Sequence, residues 1–293
     1  MQISIVTASY NYENFIKETI ESVISQTYTD WEMIIVDDGS KDNSVNVIKE
    51  YCKKDSRINL FQHENGENRG LAQTIQLALE KASGDWIVFL ESDDTITKDY
   101  LEEKIKVVQE NPNVGLIFND INLFGDEERI EGFNKAYLPR MKKKLQELGT
   151  SNKLVKLFKN KGKLNFIPTF SVVMIKTELL KNLDFNSPNK PSLDFYLWLQ
   201  IAKKCDYYFI DKKLTNWRMH KNSYISHSVD DKIRLDFDLL KNKYIYGKLG
   251  FFVNLSVLFK FHRRRIIRTF PKQNEVILFS KISIKNGVWT RIK

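Results

Sequence analysis

The sequence predicts an α/β fold: a mostly parallel sheet flanked by helices, followed by a helical, basic C-terminal extension. Three observations carry this. Strand-like runs alternate with helical patterns of about 10–15 residues, the signature of βαβ units. Trp86-Ile87-Val88-Phe89-Leu90 is a continuous apolar run, which suits a strand buried on both faces of a parallel sheet. The positive charge is concentrated at one end. Residues 240–293 hold 13 Lys or Arg against one acid, Glu275, a balance of +12 that leaves −3 for the rest of a chain whose total is +9.

Residues 3–6 begin the chain as a strand, and 8–11, Ala-Ser-Tyr-Asn, follow as a loop. Residues 14–26 place Phe15, Ile16, Ile20, Val23 and Ile24 at helical spacing. A second strand at 31–36 ends in Asp37-Asp38-Gly39-Ser40, and Val45, Val47, Ile48 and Tyr51 mark a second helix. A short strand at 58–62 precedes a third helix opened by Gly70 and stopped at Gly84, read as a C′ glycine. The apolar strand beginning at Trp86 comes next, then a helix at 98–109, a turn at Asn111-Pro112-Asn113 and a strand at 114–119. Between 120 and 165 the pattern weakens and basic residues Arg140, Lys142, Lys143 and Lys144 gather, a stretch read as loops and short helices. A strand at 169–175, a helix at 193–202 with Leu193, Leu197, Trp198 and Ile201 on one face, and strands at 207–210 and 214–219 complete the pattern. This divides the chain into 1–118, 119–228 and a basic extension at 229–293.

With 293 residues, 42% of them hydrophobic, the chain can bury a substantial core. Cys52 and Cys205 provide neither a disulfide framework nor zinc spacing, which points to a reducing compartment. No signal peptide pattern opens the chain, and no stretch reaches the roughly 18 apolar residues of a spanning helix. Neither G-x-G-x-x-G nor G-x-x-x-x-G-K-[ST] occurs, which weighs against dinucleotide enzymes and P-loop NTPases.

The chemistry is concentrated at strand ends, where open α/β sheets bind ligands. Glu91-Ser92-Asp93-Asp94 packs three acids into four residues after the apolar strand. Like charges this close need an answering cation, and a hard divalent ion held by carboxylates and substrate phosphates supplies one. The competing reading is that Asp93 and Asp94 cap the following helix. Asp37-Asp38 and Tyr10 end two neighbouring strands. A carboxylate accepts from a base N–H or ribose hydroxyl, and an aromatic ring stacks on a base. The competing reading for Asp37-Asp38-Gly39-Ser40 is a tight turn.

Ser4-Ile5-Val6-Thr7-Ala8-Ser9-Tyr10-Asn11, Ser25-Gln26-Thr27, Val36-Asp37-Asp38-Gly39-Ser40 and the stretch from Gly84 to Asp94 together resemble the family 2 glycosyltransferases. The resemblance covers about residues 1–228. It implies the Rossmann-like GT-A fold and an inverting, non-processive transfer from a nucleoside-diphosphate sugar, UDP-linked, to a hydroxyl of a glycan or lipid-linked acceptor in bacterial surface polysaccharide synthesis. By resemblance, Ala8 and Tyr10 lie beside the nucleobase and Asp38 contacts the base or ribose. Glu91-Ser92-Asp93 stands for the D-x-D motif, with Asp93 a direct ligand of Mn²⁺ or Mg²⁺. Glu91 replaces the first Asp. Ile75-Gln76 stand where many members have Arg-Asn, so that donor contact is either absent or supplied by Arg69. Ser192-Leu193-Asp194-Phe195-Tyr196-Leu197-Trp198-Leu199 resembles E-D-x-x-L-W-L and implies Asp194 as general base, against the alternative of a helix cap. Trp217-Arg218-Met219-His220-Lys221-Asn222-Ser223 resembles Y-R-x-H-x-x-S, which implies Arg218 or His220 at the diphosphate and His220 at the metal, against the alternative of a structural hydrogen-bonding role.

Two other classes compete: a nucleotidyltransferase, which would want a Gly-rich basic loop where Ser9-Tyr10-Asn11-Tyr12 stands, and a non-catalytic membrane- or RNA-binding module. No nucleic-acid partner is expected, since the aromatic residues are not interleaved with a basic face. The apolar run at 250–259 followed by Lys260, Arg263, Arg264, Arg265 and Arg268 predicts contact with an anionic membrane surface. A core contact or a homodimer interface is the alternative. The expected location is cytoplasmic, peripheral on the inner face of the membrane.

Overall fold

The computed structural model describes residues 1–159, 165–186, 193–221, 244–245, 282–285 and 288–291. Its first compact unit spans residues 1–251. Here β1 (Ile3–Ser9), α1 (Ile16–Ile24), β2 (Trp31–Asp37), α2 (Ser44–Lys54), β3 (Ile58–Gln62), α3 (Leu71–Lys81) and β4 (Trp86–Phe89) alternate without interruption. β1 pairs in parallel with β2 and with β4, and β2 with β3. The pleat sends alternate residues to opposite faces. Ile3, Ile5, Met33, Ile35 and Val88 pack with Ile16, Ile20 and Val23 of α1, while Val6, Ile34, Val36, Ile87 and Phe89 pack with Ile75 and Ala78 of α3. Burial on both faces is why these strands read as unbroken apolar runs.

The second half adds β5 (Thr95–Ile96), α4 (Tyr100–Glu110), β6 (Val114–Gly125), α5 (Glu127–Ala136), α6 (Leu138–Leu148), β7 (Ser151–Lys153), α7 (Val155–Phe158), β8 (Val173–Lys176), α8 (Thr177–Leu180), α9 (Leu193–Ile201) and β9 (Asp206–Met219). The sheet order is β3-β2-β1-β4-β8-β6-β9-β5, with β7 also on β9. β8 runs antiparallel between β4 and β6, β6 pairs in parallel with β9, and β5 and β7 lie antiparallel to β9. The short β5 matters most. Its register, Thr95 opposite Asn216, brings the end of β9 back along the acids that follow β4.

Several local expectations are corrected. Residues 206–219 form one strand, because the charged Asp211 and Lys212 are left out of the β6 ladder where its register shifts from Ile210 to Lys213. The strand expected from 169 begins at Val173; Phe170–Val172 is a 3₁₀ turn capped by the Thr169 hydroxyl. Between 120 and 148, β6 runs on to Gly125 and two full helices follow. Gly84 is no C′ residue: α3 ends at Lys81, and a Cβ at Gly84 would lie 2.6 Å from the Ser4 backbone nitrogen, so close packing on β1 demands the glycine. α9 is buried on nearly every side, including Phe195, Tyr196 and Leu199, so its pattern shows no single apolar face.

Lys104 is wholly buried. Its ammonium donates to the Val172 carbonyl at 2.8 Å and sits over the Tyr100 ring at 4.4 Å; burial pushes its pKa well below the lysine range. It braces α4 against the 3₁₀ turn. Both cysteines are free thiols.

The second unit, residues 252–293, contains β10 (Ile282–Lys285) and β11 (Val288–Arg291), an antiparallel pair where a helical extension was expected. In sequence they flank Asn286-Gly287, the dipeptide that two-residue hairpins favour. The apolar run at 250–259 and the basic cluster through Arg268 lie outside the described residues. So do Ser192 and the 222–228 segment.

Candidate active site

The chain leaving β4 turns through Leu90-Glu91-Ser92-Asp93-Asp94 into β5. α1 holds this turn from one side, where the Thr19 hydroxyl donates to the carbonyls of Ser92 (3.0 Å) and Asp94 (2.8 Å). The 3₁₀ turn holds it from the other. Ser171 Oγ donates to Asp94 Oδ2 at 2.6 Å and accepts from the Glu91 N–H at 3.0 Å, while Thr169 Oγ1 donates to Glu91 Oε2 at 2.5 Å. Neither acid caps α4, whose N-cap position is Asp99. Ser25-Gln26-Thr27 also has a bracing role: the Gln26 amide bridges the Thr97 carbonyl (2.8 Å) and the Leu101 N–H (3.1 Å) just beyond the turn.

The end of β9 supplies the Arg218 guanidinium, and the residue after the strand, His220, an imidazole. The Arg218 N–H donates to Asp94 Oδ1 at 2.9 Å, its Nε to the Asp93 carbonyl at 2.9 Å, and its Nη2 to Glu18 Oε2 at 2.5 Å. The guanidinium lies between the rings of Phe15 (4.8 Å) and Phe124 (4.4 Å). His220 Nε2 is 2.8 Å from Asp93 Oδ2, its ring edge-on to Tyr12 and tilted against Phe15. Arg218 is shared with Glu18, so the cluster remains short of positive charge. Burial and then the charge of Asp93 push Glu91 up to about 8. Asp94 is raised by burial and then by Asp93 and Glu91. The Tyr12 phenol is raised by burial and then by the charges of Asp93, Glu91 and Asp94.

Asp194 stands in the first turn of α9. Its carboxylate accepts the Asn165 amide at 2.7 Å and the Phe195 N–H, yet burial dominates and pushes it up to about 7. Its charge reaches Glu91 and Tyr137. The base expected from the second half thus lies within electrostatic reach of Glu91 from the first.

The other strand ends form the rim. Asp37 closes its turn by accepting from the N–H groups of Gly39 (3.2 Å) and Ser40 (3.0 Å). Gly39 has φ +80°, and a Cβ there would meet the Gly66 carbonyl at 2.7 Å. Asp38 is buried; its carboxylate accepts from the N–H groups of Arg69 (2.7 Å) and Gly70 (2.9 Å), and His63 Nε2 lies 3.5 Å away. Both oxygens therefore hold the start of α3. Ala8 is half-buried beside Val36, and Tyr10 exposes 43% of its surface. The Arg69 side chain is exposed and pairs with Glu67 at 3.6 Å. Ser92 is buried. Glu91, Ser92, Asp93, Arg218 and His220 come together, with Asp194 electrostatically linked to Glu91. Ala8, Tyr10, Asp38 and Arg69 sit on neighbouring strand and helix ends. The motif reading passed over Tyr12, Phe15, Glu18, Asn165, Thr169 and Ser171. Of these only Tyr12 adjoins a recognised stretch, the one ending at Asn11.

A family profile, Glycosyl transferase family 2, matches residues 4–183. The chain belongs to this family. Among relatives of the family 2 chain, TuaG of Bacillus subtilis, a glycosyltransferase assigned to teichuronic acid biosynthesis, is 42% identical over 108 residues, covering 37% of this chain and 42% of TuaG. WfgD of Escherichia coli, a UDP-Glc:α-D-GlcNAc-diphosphoundecaprenol β-1,3-glucosyltransferase, is 35% identical over 201 residues, covering 69% of this chain and 70% of WfgD. S. aureus TarS in complex with UDP-GlcNAc superposes with a TM-score of 0.66 at 19% identity, covering 93% of this chain and 76% of that one. A mannosyltransferase of Pyrobaculum calidifontis, solved with GDP-Man and Mn²⁺, gives 0.56 at 15% identity, covering 89% of this chain and 69% of that one. At these identities the two structures establish the shared GT-A fold of the family 2 glycosyltransferase.

Proposed function

We propose that this family 2 glycosyltransferase moves one sugar, with inversion, from a UDP-linked donor to a hydroxyl of a glycan or lipid-linked acceptor in bacterial surface polysaccharide synthesis. The observation that carries this reading is the match of residues 4–183 to the family 2 profile, with Glu91 within electrostatic reach of both Asp93 and Asp194. A diphosphate-side acid and an acceptor-side base about 100 residues apart in sequence thus serve one site. In this reading residues 1–118 bind the donor and 119–228 the acceptor. Ionised Asp194 takes the acceptor hydroxyl proton as that oxygen bonds to the anomeric carbon and the bond to the diphosphate breaks. Tyr10 offers its exposed ring to the base, while Arg69 and Arg218 offer guanidinium groups to the donor. The printed name of WfgD, with its UDP-Glc donor and diphosphoundecaprenol-linked acceptor, supports both substrate classes.

Among the described residues no three His, Cys, Asp or Glu side chains converge on one point. Asp93 and His220 nevertheless present an oxygen and a nitrogen side by side within an acid cluster short of cations. That donor set fits Mn²⁺ or Mg²⁺, which commonly binds through one or two protein groups plus substrate phosphates. When bound, such an ion stabilises charge on the departing diphosphate.

A panel of nucleotide sugars tests the reading. UDP-glucose or UDP-N-acetylglucosamine with Mn²⁺ is expected to raise the melting temperature and to release UDP slowly. Stabilisation by a nucleoside triphosphate alone would favour a nucleotidyltransferase.

No described helix is long and apolar enough to cross a membrane. We place the enzyme at the cytoplasmic face of a membrane through residues 250–268. Lys260, Arg263, Arg264, Arg265 and Arg268 would each contribute roughly 1 kcal/mol near an anionic surface. The full chain is expected to sediment with anionic but not neutral vesicles at low salt. Replacing Arg263, Arg264 and Arg265 by Gln should release it. A chain that ignores anionic vesicles refutes the placement and leaves the core or dimer contact.

A further inference from the structure

Asn165 meets the candidate base with both ends of its side-chain amide and its backbone carbonyl engaged. Its Nδ2 donates to Asp194 Oδ2 at 2.7 Å, its Oδ1 accepts from the Ile167 N–H at 3.1 Å, and its backbone carbonyl accepts from the Tyr137 hydroxyl. The amide has one workable orientation. Flipped, its NH₂ would face the Ile167 N–H and its oxygen would face a carboxylate. Tyr137 is itself held at the α5–α6 junction by a stacked Phe133 ring (4.5 Å), which Trp217 meets edge-on at 5.1 Å.

We propose that Asn165 is a positioning residue for Asp194: its amide pins one carboxylate oxygen and so sets the direction from which the carboxylate takes a proton. This rests on the reading of Asp194 as general base. A carboxylate has about four acceptor sites. Those used by Asn165, by the Phe195 N–H and by the Asp194 N–H itself leave room for one acceptor hydroxyl. The other titratable groups that sense Asp194 are Glu91, beyond β4, and Tyr137, at the α5–α6 junction. Tyr137 directs its proton to the Asn165 carbonyl, and Glu91 accepts from Thr169. Among the described residues, Asn165 is the side chain that donates to this carboxylate and favours its ionised form.

Two substitutions separate positioning from mere support of the local chain. Asn165→Ala removes both side-chain bonds. Asn165→Asp keeps an acceptor for the Ile167 N–H but sets a like charge against Asp194. The readout needs no substrate: ¹³C-carboxyl titration of the full chain, Asp-labelled and in EDTA, with the Asp194 signal identified by its absence in Asp194→Asn. Losing a bond to the charged form should raise the Asp194 midpoint by about one pH unit in Asn165→Ala, and by more in Asn165→Asp. If Asn165 only supports the chain, Asn165→Ala titrates like the wild type, and that result overturns the proposal. Undiminished turnover in Asp194→Asn is a different result: it removes the base assignment itself.

Discussion

Asp194→Asn is expected to lower sugar transfer by about 10²–10⁴-fold, the usual cost of losing a general base, while UDP and metal bind within a few-fold of normal. The wild type supplies a matching pH signature. Burial lifts Asp194 to about 7, and only the ionised carboxylate removes a proton. Turnover should therefore rise with pH through about 7 and fall below it. Stability runs the opposite way. A carboxylate whose folded pKa is raised binds more protons in the folded state than in the unfolded one. Its contribution to stability is present at low pH and is lost as pH rises from the unfolded carboxylate range, about 4, to about 7. Asp194→Asn should thus melt above the wild type at pH 8, with the gap closing towards pH 4. An inactive but more stable variant excludes unfolding as the cause of inactivity. Near-normal turnover would sink the assignment.

β1, β2 and β4 were legible because each is buried on both faces and carries no competing pattern. The site was legible where acids end those strands. The second half was harder to read for identifiable reasons. β5 has two residues, and it pairs with β9 across 121 positions of sequence, a contact that no local pattern encodes. Asp211 and Lys212 resemble a loop because the β6 ladder omits them. Lys104 looks like a surface residue of α4, yet it is buried against backbone carbonyls rather than a carboxylate. Asp38 shows what a motif conceals. The motif marks it as a donor contact, while the role visible in the fold is structural, since its carboxylate gathers the Arg69 and Gly70 amides at the start of α3. Thr169 and Ser171 had no signal of their own, although they hold Glu91 and Asp94 in place.

Asp93→Ala is expected to weaken Mn²⁺-dependent UDP binding on the order of 100-fold, at the upper end of what the loss of a metal-site partner costs. The prediction rests on charge. Glu91, Asp93 and Asp94 crowd one turn, and Arg218 also answers Glu18. A diphosphate entering that field without a cation is repelled, and Asp93 with His220 at 2.8 Å is the pair proposed to hold one. Removing Asp93 also removes a negative charge, so electrostatics predicts two effects of opposite sign. With Mn²⁺ the variant should bind UDP far more weakly than the wild type. In EDTA it should bind UDP at least as well, because the repulsion is smaller. Calorimetry of both proteins under both conditions measures the crossing. His220→Ala should show the first effect in weaker form and lack the second, since it removes no negative charge. Equal UDP affinity of the wild type with Mn²⁺ and in EDTA would mean that the acids serve the donor without a metal, and the assignment of Asp93 as ligand would fall.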